Sequence, residues 1–134
     1  MTHALSRQDF EMKQELRQLI DKHPAIFQGG RFRYFECGPG WYSLIDEMAT
    51  EIQAHIDASG CEQVRAHQFK EKFGEVRFYF MGGDDTCRDI AQKAEAKSLI
   101  TCDLCGEPGE LGSAGGWMSV RCPGHVGKHR ADFL

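Results

Sequence analysis

Apolar residues recur at helical intervals in two long stretches of the N-terminal half. The first covers residues 12–23 and stops at Pro24, with Ser6 placed to open a variant capping box. The second covers residues 41–58, where a large apolar side chain returns every third or fourth position until Ser59 and Gly60. Both patterns predict amphipathic helices that bury one face.

A two-residue alternation follows and predicts a β-hairpin, with strands at residues 63–69 and 75–81. The second strand alternates apolar residues with polar or amphipathic ones, namely Val76, Arg77, Phe78, Tyr79 and Phe80. Residues 82–83 are glycines that end the hairpin. Asp84 then provides an N-cap for a third helix that reaches about Ser98.

Near the C-terminus, a Cys-x-x-Cys pair and a Cys-x-x-His pair stand sixteen residues apart, as Cys102, Cys105, Cys122 and His125. Three thiolates and an imidazole suit zinc, so this pattern predicts one tetrahedral zinc ion per chain. Gly106 permits the sharp turn that two ligands three positions apart require. Because protein fills all four positions, we interpret the metal as structural.

The segment between the two ligand pairs predicts a second hairpin, with arms at 111–113 and 117–121 and a turn at 114–116. Pro123 suits the first turn of a helix carrying Cys122 and His125. These features predict a treble clef finger, with a zinc ribbon as the near alternative. The side chains expected to pack it on the rest of the chain are Leu104, Leu111, Trp117 and Val120.

Other sulfur and imidazole groups leave alternatives open. His129, four residues after His125, either replaces it as ligand or contacts the ligand side chains without binding the metal itself. A disulfide is the alternative to metal, and it is disfavoured because the N-terminal segment does not read as a secretion signal. The remaining cysteines are scattered singly, and we interpret them as buried thiols with no assigned role: Cys37, Cys61 and Cys87.

Length and charge restrict the class of protein. The 134 residues suit an α+β body at 1–99, in which helices flank a small antiparallel hairpin or sheet, with the finger at 100–134 packed on it. The net charge of −4 gives no general attraction to nucleic acid. No apolar stretch approaches the ~20 residues that span a bilayer. We expect a cytoplasmic protein without membrane contact, and the sequence indicates no oligomeric state.

Four segments together resemble a family of small phage, prophage and bacterial accessory proteins. They are Phe-Glu-Cys-Gly-Pro-Gly-Trp at 35–41, Lys-Glu-Lys-Phe-Gly at 70–74, Cys-Asp-Leu-Cys-Gly-Glu-Pro-Gly at 102–109 and Arg-Cys-Pro-Gly-His at 121–125. Glu75 stands where the family's turn carries a second glycine. The resemblance implies a bacterial host cytoplasm as the setting. By analogy with phage accessory proteins of this size, which include anti-CRISPR proteins, it implies a host protein complex as the partner.

Three other chemistries are weighed against simple binding. An HNH-type nuclease is disfavoured because the chain contains no asparagine, the finger hairpin contains no histidine, and His129 is the one finger histidine left free of the predicted zinc site. A nucleophilic role for Cys37 lacks a neighbouring histidine. Nucleic-acid binding by the first hairpin is the stronger rival, since its basic and aromatic residues include Lys70, Lys72, Arg77, Phe73 and Tyr79.

We therefore expect a non-enzymatic zinc-finger protein that binds a host protein stoichiometrically, in the manner of an inhibitor of a host defence complex. Interfaces favour large aromatic side chains, and three are candidate anchors: Tyr42, Phe73 and Phe133.

Overall fold

The computed structural model describes residues 7–27, 35–114 and 117–126. Within these ranges the chain forms four α-helices and two small β-sheets, which confirms the α+β prediction. The elements are α1 (Arg7–Lys22), α2 (Pro24–Phe27), β1 (Phe35–Glu36), a 3₁₀ helix (Pro39–Trp41), α3 (Tyr42–Ser59), β2 (Arg65–Lys72), β3 (Glu75–Met81), α4 (Asp85–Ser98), β4 (Glu110–Ala114) and β5 (Trp117–Arg121). No helix among the described residues has the length and apolar character needed to cross a membrane.

The helices begin and end where the sequence signals stand. α1 stops two residues before Pro24, which opens the short α2, while Ser6 lies outside the described residues. α3 ends at Ser59, and the next residue, Gly60, has a left-handed φ of 74° and donates its N–H to the carbonyl of Ile56. The Asp84 carboxylate caps α4 by accepting from the N–H of Cys87 at 3.1 Å.

The larger sheet has the strand order β1-β2-β3. β2 and β3 form the predicted antiparallel hairpin, and β1 adds a short parallel strand with Phe35 opposite Phe69. No sequence pattern predicted this parallel pairing. It arises because the chain returns from α2 along the edge of β2 before entering α3.

The hairpin turn is tighter than the predicted connection at residues 70–74. β2 continues to Lys72, and only Phe73 and Gly74 lie between the strands, with φ values of 54° and 82°. Positive φ at both central residues gives a turn whose twist matches that of the flanking strands. Glycine adopts this conformation freely, whereas Phe73 adopts it at a steric cost.

The core lies between α3, α4 and the larger sheet. Trp41, Ile45 and Ile52 on the α3 side are fully buried, as are residues of the sheet, where the rings of Phe69 and Phe78 stack at 4.3 Å. Burying side chains of this size stabilises the fold by about 1.5 to 3 kcal/mol each. Cys37 and Cys87 lie in the same core, as predicted for buried thiols, whereas Cys61 is only partly buried against it.

The outer edge of β3 is covered by side chains of α4. The N–H of Val76 donates to Ser98 Oγ, and the N–H of Phe78 donates to Glu95 Oε2, both at 3.0 Å. These bonds satisfy two strand donors that have no backbone partner on that side. Burial raises the pKa of Glu95 above its ordinary value, against the opposing effects of the Phe78 N–H and the Arg77 charge.

Glu95→Gln is expected to increase the free energy of unfolding at neutral pH. Glutamine keeps an oxygen that accepts from Phe78 and removes the charge that burial disfavours. With a raised folded pKa, the contribution of Glu95 to stability is full below its unfolded pKa and is lost as pH rises through the folded value. Urea unfolding of both proteins between about pH 4 and pH 7 measures this difference. A variant less stable at pH 7 would contradict it.

Candidate metal centre

The four predicted ligands converge at one point of the finger, which they form with β4 and β5. Cys102 Sγ lies 3.6 Å from His125 Nδ1, Cys122 Sγ lies 3.2 Å from the same nitrogen, and the sulfurs of Cys105 and Cys122 are 3.6 Å apart. In a tetrahedral zinc site with these donors, neighbouring ligand atoms are separated by about 3.5 to 3.8 Å. The cluster can therefore hold a metal ion with little rearrangement.

Backbone hydrogen bonds hold each ligand pair in place. The N–H of Gly106 donates to the carbonyl of Cys102 at 2.9 Å, and the φ of 83° at Gly106 confirms that glycine is needed for this turn. In the second pair, the N–H of His125 donates to the carbonyl of Cys122 at 2.9 Å. Residues 123–126 form a turn and not the first turn of the predicted helix, while any continuation beyond Val126 lies outside the described residues, as does His129.

The sulfurs of the first pair have different proton affinities. Burial raises the pKa of the Cys102 thiol, but N–H groups of Cys122, Leu104 and Cys105 outweigh it and bring the value to about 6. Burial and the neighbouring sulfurs raise the pKa of Cys105 to about 11. Within this pair Cys102 thus ionises more readily than Cys105, and a cation that binds both sulfurs displaces the proton of Cys105.

A buried ion pair joins the two halves of the finger. Asp103 Oδ1 lies 2.8 Å from Arg121 Nε, and Asp103 is completely buried. Each partner is the immediate neighbour of a ligand cysteine, so the pair ties the first ligand turn to β5. The N–H of Asp103 adds a second tie by donating to the carbonyl of Val120 at 2.9 Å. The sequence analysis missed both residues, although their positions beside the ligands could have indicated them.

The finger also contacts the body through the loop before α3. The N–H of Gly40 donates to the carbonyl of Asp103 at 3.0 Å, and the buried indole of Trp41 donates from Nε1 to the carbonyl of Thr101 at 2.9 Å. A Cβ on Gly40 would lie 2.1 Å from the carbonyl oxygen of Cys102. The Gly-Pro-Gly-Trp sequence therefore holds the first ligand turn against the body, a role that the sequence analysis did not assign.

Residues predicted to pack the finger behave differently from one another. Val120 is fully buried in the common core, as predicted. Leu111 is 44% exposed, because it lies at the margin of the interface, where it faces the Gly74 turn. The side chain of Trp117 lies outside the described set. The boundary predicted between residues 99 and 100 stays a prediction.

The other candidate residues take separate positions. Lys70 and Arg77 are cross-strand partners, with Lys70 Nζ 5.7 Å from the centre of the Tyr79 ring and Arg77 Nε 3.4 Å from Glu75. Tyr42 packs half-buried against the core, so it is a poorer surface anchor than predicted. Phe133 lies outside the described residues.

A second group of ligand-type side chains converges far from the finger ligands in sequence: His55, Cys61, Asp84 and Cys87. Its members come from two separate segments of the chain. No short sequence motif predicted this group.

Comparison of the chain with protein-family models, with curated proteins and with solved structures finds no significant match to any of the three.

Proposed function

We propose that this protein contains a zinc finger, binds a protein partner in fixed stoichiometry and has no catalytic role of its own. The resemblance of its motif series to phage and prophage accessory proteins supports a host defence or nucleic-acid-handling complex as that partner, with inhibition as the outcome. The metal is zinc, because three thiolates and one imidazole at tetrahedral spacing are the donors of structural zinc sites.

The partner surface that we propose is an apolar patch where the Phe73-Gly74 turn meets the finger. A Cβ on Gly74 would lie 2.5 Å from Leu111 Cδ1, so the turn is in contact with β4. Four exposed apolar residues, here named the tip patch, surround this contact or extend it along the finger: Phe73, Leu111, Met118 and Val126. Leu111 and Val126 also line one groove of about 510 Å³ beside Pro108 and Pro123. Exposed apolar groups gathered in this way are typical of protein-binding sites.

Phe73 is the observation that carries the proposal. Its side chain is 75% exposed, and its φ of 54° lies in the left-handed region. That conformation costs about 1 kcal/mol for a residue with a Cβ, and asparagine or glycine would suit this turn better. An exposed ring gains little from the fold in return. Burial against a partner supplies the missing gain, since aromatic anchors dominate the binding energy of protein interfaces.

Phe73→Asn separates binding from folding. Asparagine tolerates the left-handed turn, so we expect the thermal midpoint to stay equal or to increase, while recovery of the partner in a pull-down from a bacterial host lysate falls at least tenfold. The control is Met81→Gln, which alters another exposed apolar residue, 73% exposed, at the far end of the same hairpin. Equal recovery by the Phe73→Asn variant and the unmodified protein would refute the role of the tip patch.

Nucleic-acid binding is the rival function, favoured by one observation. Lys70, Arg77 and Tyr79 lie on the same face of the hairpin, opposite the buried Val76 and Phe78. Phosphate contacts would make affinity fall steeply with added salt, and replacing Lys70, Lys72 and Arg77 with alanine would then abolish binding. Binding to DNA or RNA with Kd below about 1 μM at physiological salt, with no protein recovered, would replace the present proposal.

A further inference from the structure

Four metal-ligand side chains meet where the C-terminal end of α3 faces the N-terminal end of α4. Their ligand atoms all lie within 4.8 Å of one another: the ring nitrogen of His55, the sulfurs of Cys61 and Cys87, and a carboxylate oxygen of Asp84. His55 Nε2 lies 2.9 Å from Asp84 Oδ2. Cys87 Sγ lies within the same 4.8 Å of a carboxylate oxygen of Asp84 and of Cys61 Sγ. All four side chains are thus in mutual contact or close to it.

The backbone around this cluster is fixed before any ligand arrives. Gly60 turns the chain directly after α3, and the next N–H, that of Cys61, donates to Ser59 Oγ at 3.2 Å. On the other side, the N–H of Gly83 donates to the carbonyl of Glu62 at 3.0 Å. A Cβ on Gly83 would lie 3.2 Å from Cys87 Sγ, so its absence leaves room for the sulfur. Both cysteines are therefore held near Asp84 by structure that does not depend on them.

We propose that His55, Cys61, Asp84 and Cys87 form a second metal site, which takes a zinc-like divalent cation with lower affinity than the finger. Two thiolates, an imidazole and a carboxylate are ligands that zinc accepts in four-coordinate sites. The sulfurs select against magnesium and calcium, which bind through oxygen. Binding forms two metal–sulfur bonds and releases the two thiol protons to solvent.

The structural roles of these residues do not account for all four. Capping α4 accounts for Asp84 and for the position of the Cys87 N–H, and a hydrogen bond with Asp84 accounts for His55. Neither role requires a thiol at position 87 or brings Cys61 to the same carboxylate. The side chains of His55 and Asp84 are 24% and 40% exposed, so an ion from solvent can reach the cluster. Two thiolates and partial exposure, against three thiolates in the finger, account for the weaker affinity.

Cobalt(II) titration of the metal-free full-length protein under reducing conditions tests the proposal. We expect saturation at two equivalents per chain, with thiolate-to-cobalt absorption that is stronger for the first equivalent than for the second. Cys61→Ser and His55→Gln should each lose the second equivalent and keep the first. Cys105→Ser alters an exposed ligand of the finger and should lose the first equivalent while keeping the second.

Cys37→Ala serves as the control, because this buried cysteine belongs to neither cluster and its loss should leave both equivalents. Far-UV circular dichroism confirms that each variant is folded. Saturation of the unmodified protein at one equivalent would overturn the proposal. A second equivalent that persists in both Cys61→Ser and His55→Gln would overturn it as well.

Discussion

Gly40→Ala is expected to detach the finger from the body, lowering the free energy of unfolding by about 3 kcal/mol or more and weakening zinc binding. The added Cβ would stand 2.1 Å from Cys102 O and 2.7 Å from Gly106 N, which are both backbone atoms of the first ligand turn. Backbone cannot rotate away as a flexible side chain can. The turn must therefore move, and the hydrogen bond from Gly40 to Asp103 is lost with it.

Urea unfolding measures the first effect, and competition with a chromophoric chelator measures the second. Gly112→Ala is the matched control, since a Cβ at this finger position has no atom within 4 Å and no positive φ. It should change either quantity little, by about 0.5 kcal/mol at most. If Gly40→Ala bound zinc as tightly as the unmodified protein, the finger would assemble without its contacts to the body, and the prediction would be wrong.

Loss of the finger metal is expected to have the second large effect. We expect the unmodified protein to keep one equivalent of zinc through gel filtration. The double variant Cys102→Ser/Cys122→Ser removes two ligands, one from each pair, and should lose this equivalent. Structural zinc contributes about 10 to 16 kcal/mol of binding free energy in isolated finger peptides, so the finger should lose its fixed structure. Zinc retained through gel filtration by the double variant would place the tight site elsewhere.

Loss of the metal should leave the hydrophobic core of the body intact. Helices α1 and α3 bury apolar faces that do not depend on the metal, such as those of Leu19, Ile45 and Ile52. Amide hydrogen exchange should therefore increase in residues 100–126 and stay slow in α3. Loss of most of the far-UV helical signal would contradict this division and would make the metal a condition for folding of the whole chain.

Elements governed by local chemistry could be predicted from the sequence. The spacing of Ile45, Met48, Ile52 and Ile56 defines the buried face of α3, Asp84 caps α4, and Gly106 adopts the left-handed conformation directly after the first ligand pair. The ligand cluster could also be predicted, because the two ligands of each pair are only three positions apart in the sequence. In these cases the physical cause lies within a few residues of its effect.

Features that depend on distant segments could not be predicted. The parallel pairing of β1 with β2 depends on where the chain returns after α2, and the steric demand at Gly40 depends on a carbonyl of Cys102, sixty-two residues later. Likewise, His55 and Asp84 are 29 residues apart and meet only because α3 and α4 pack together. The periodicity of apolar residues indicates which side of a helix or strand is buried, but it does not indicate which other element packs against that side.

The cover that Ser98 and Glu95 give to the edge of β3 affects how this protein behaves at high concentration. Open strand edges are templates for growth of intermolecular sheets, and here the donors of Val76 and Phe78 already have acceptors in α4. Replacing both acceptors together would expose an aromatic-rich strand to identical copies of itself. We therefore expect the two polar side chains to protect this edge from fibrillar aggregation, which a purely apolar α4 face of equal stability would not do.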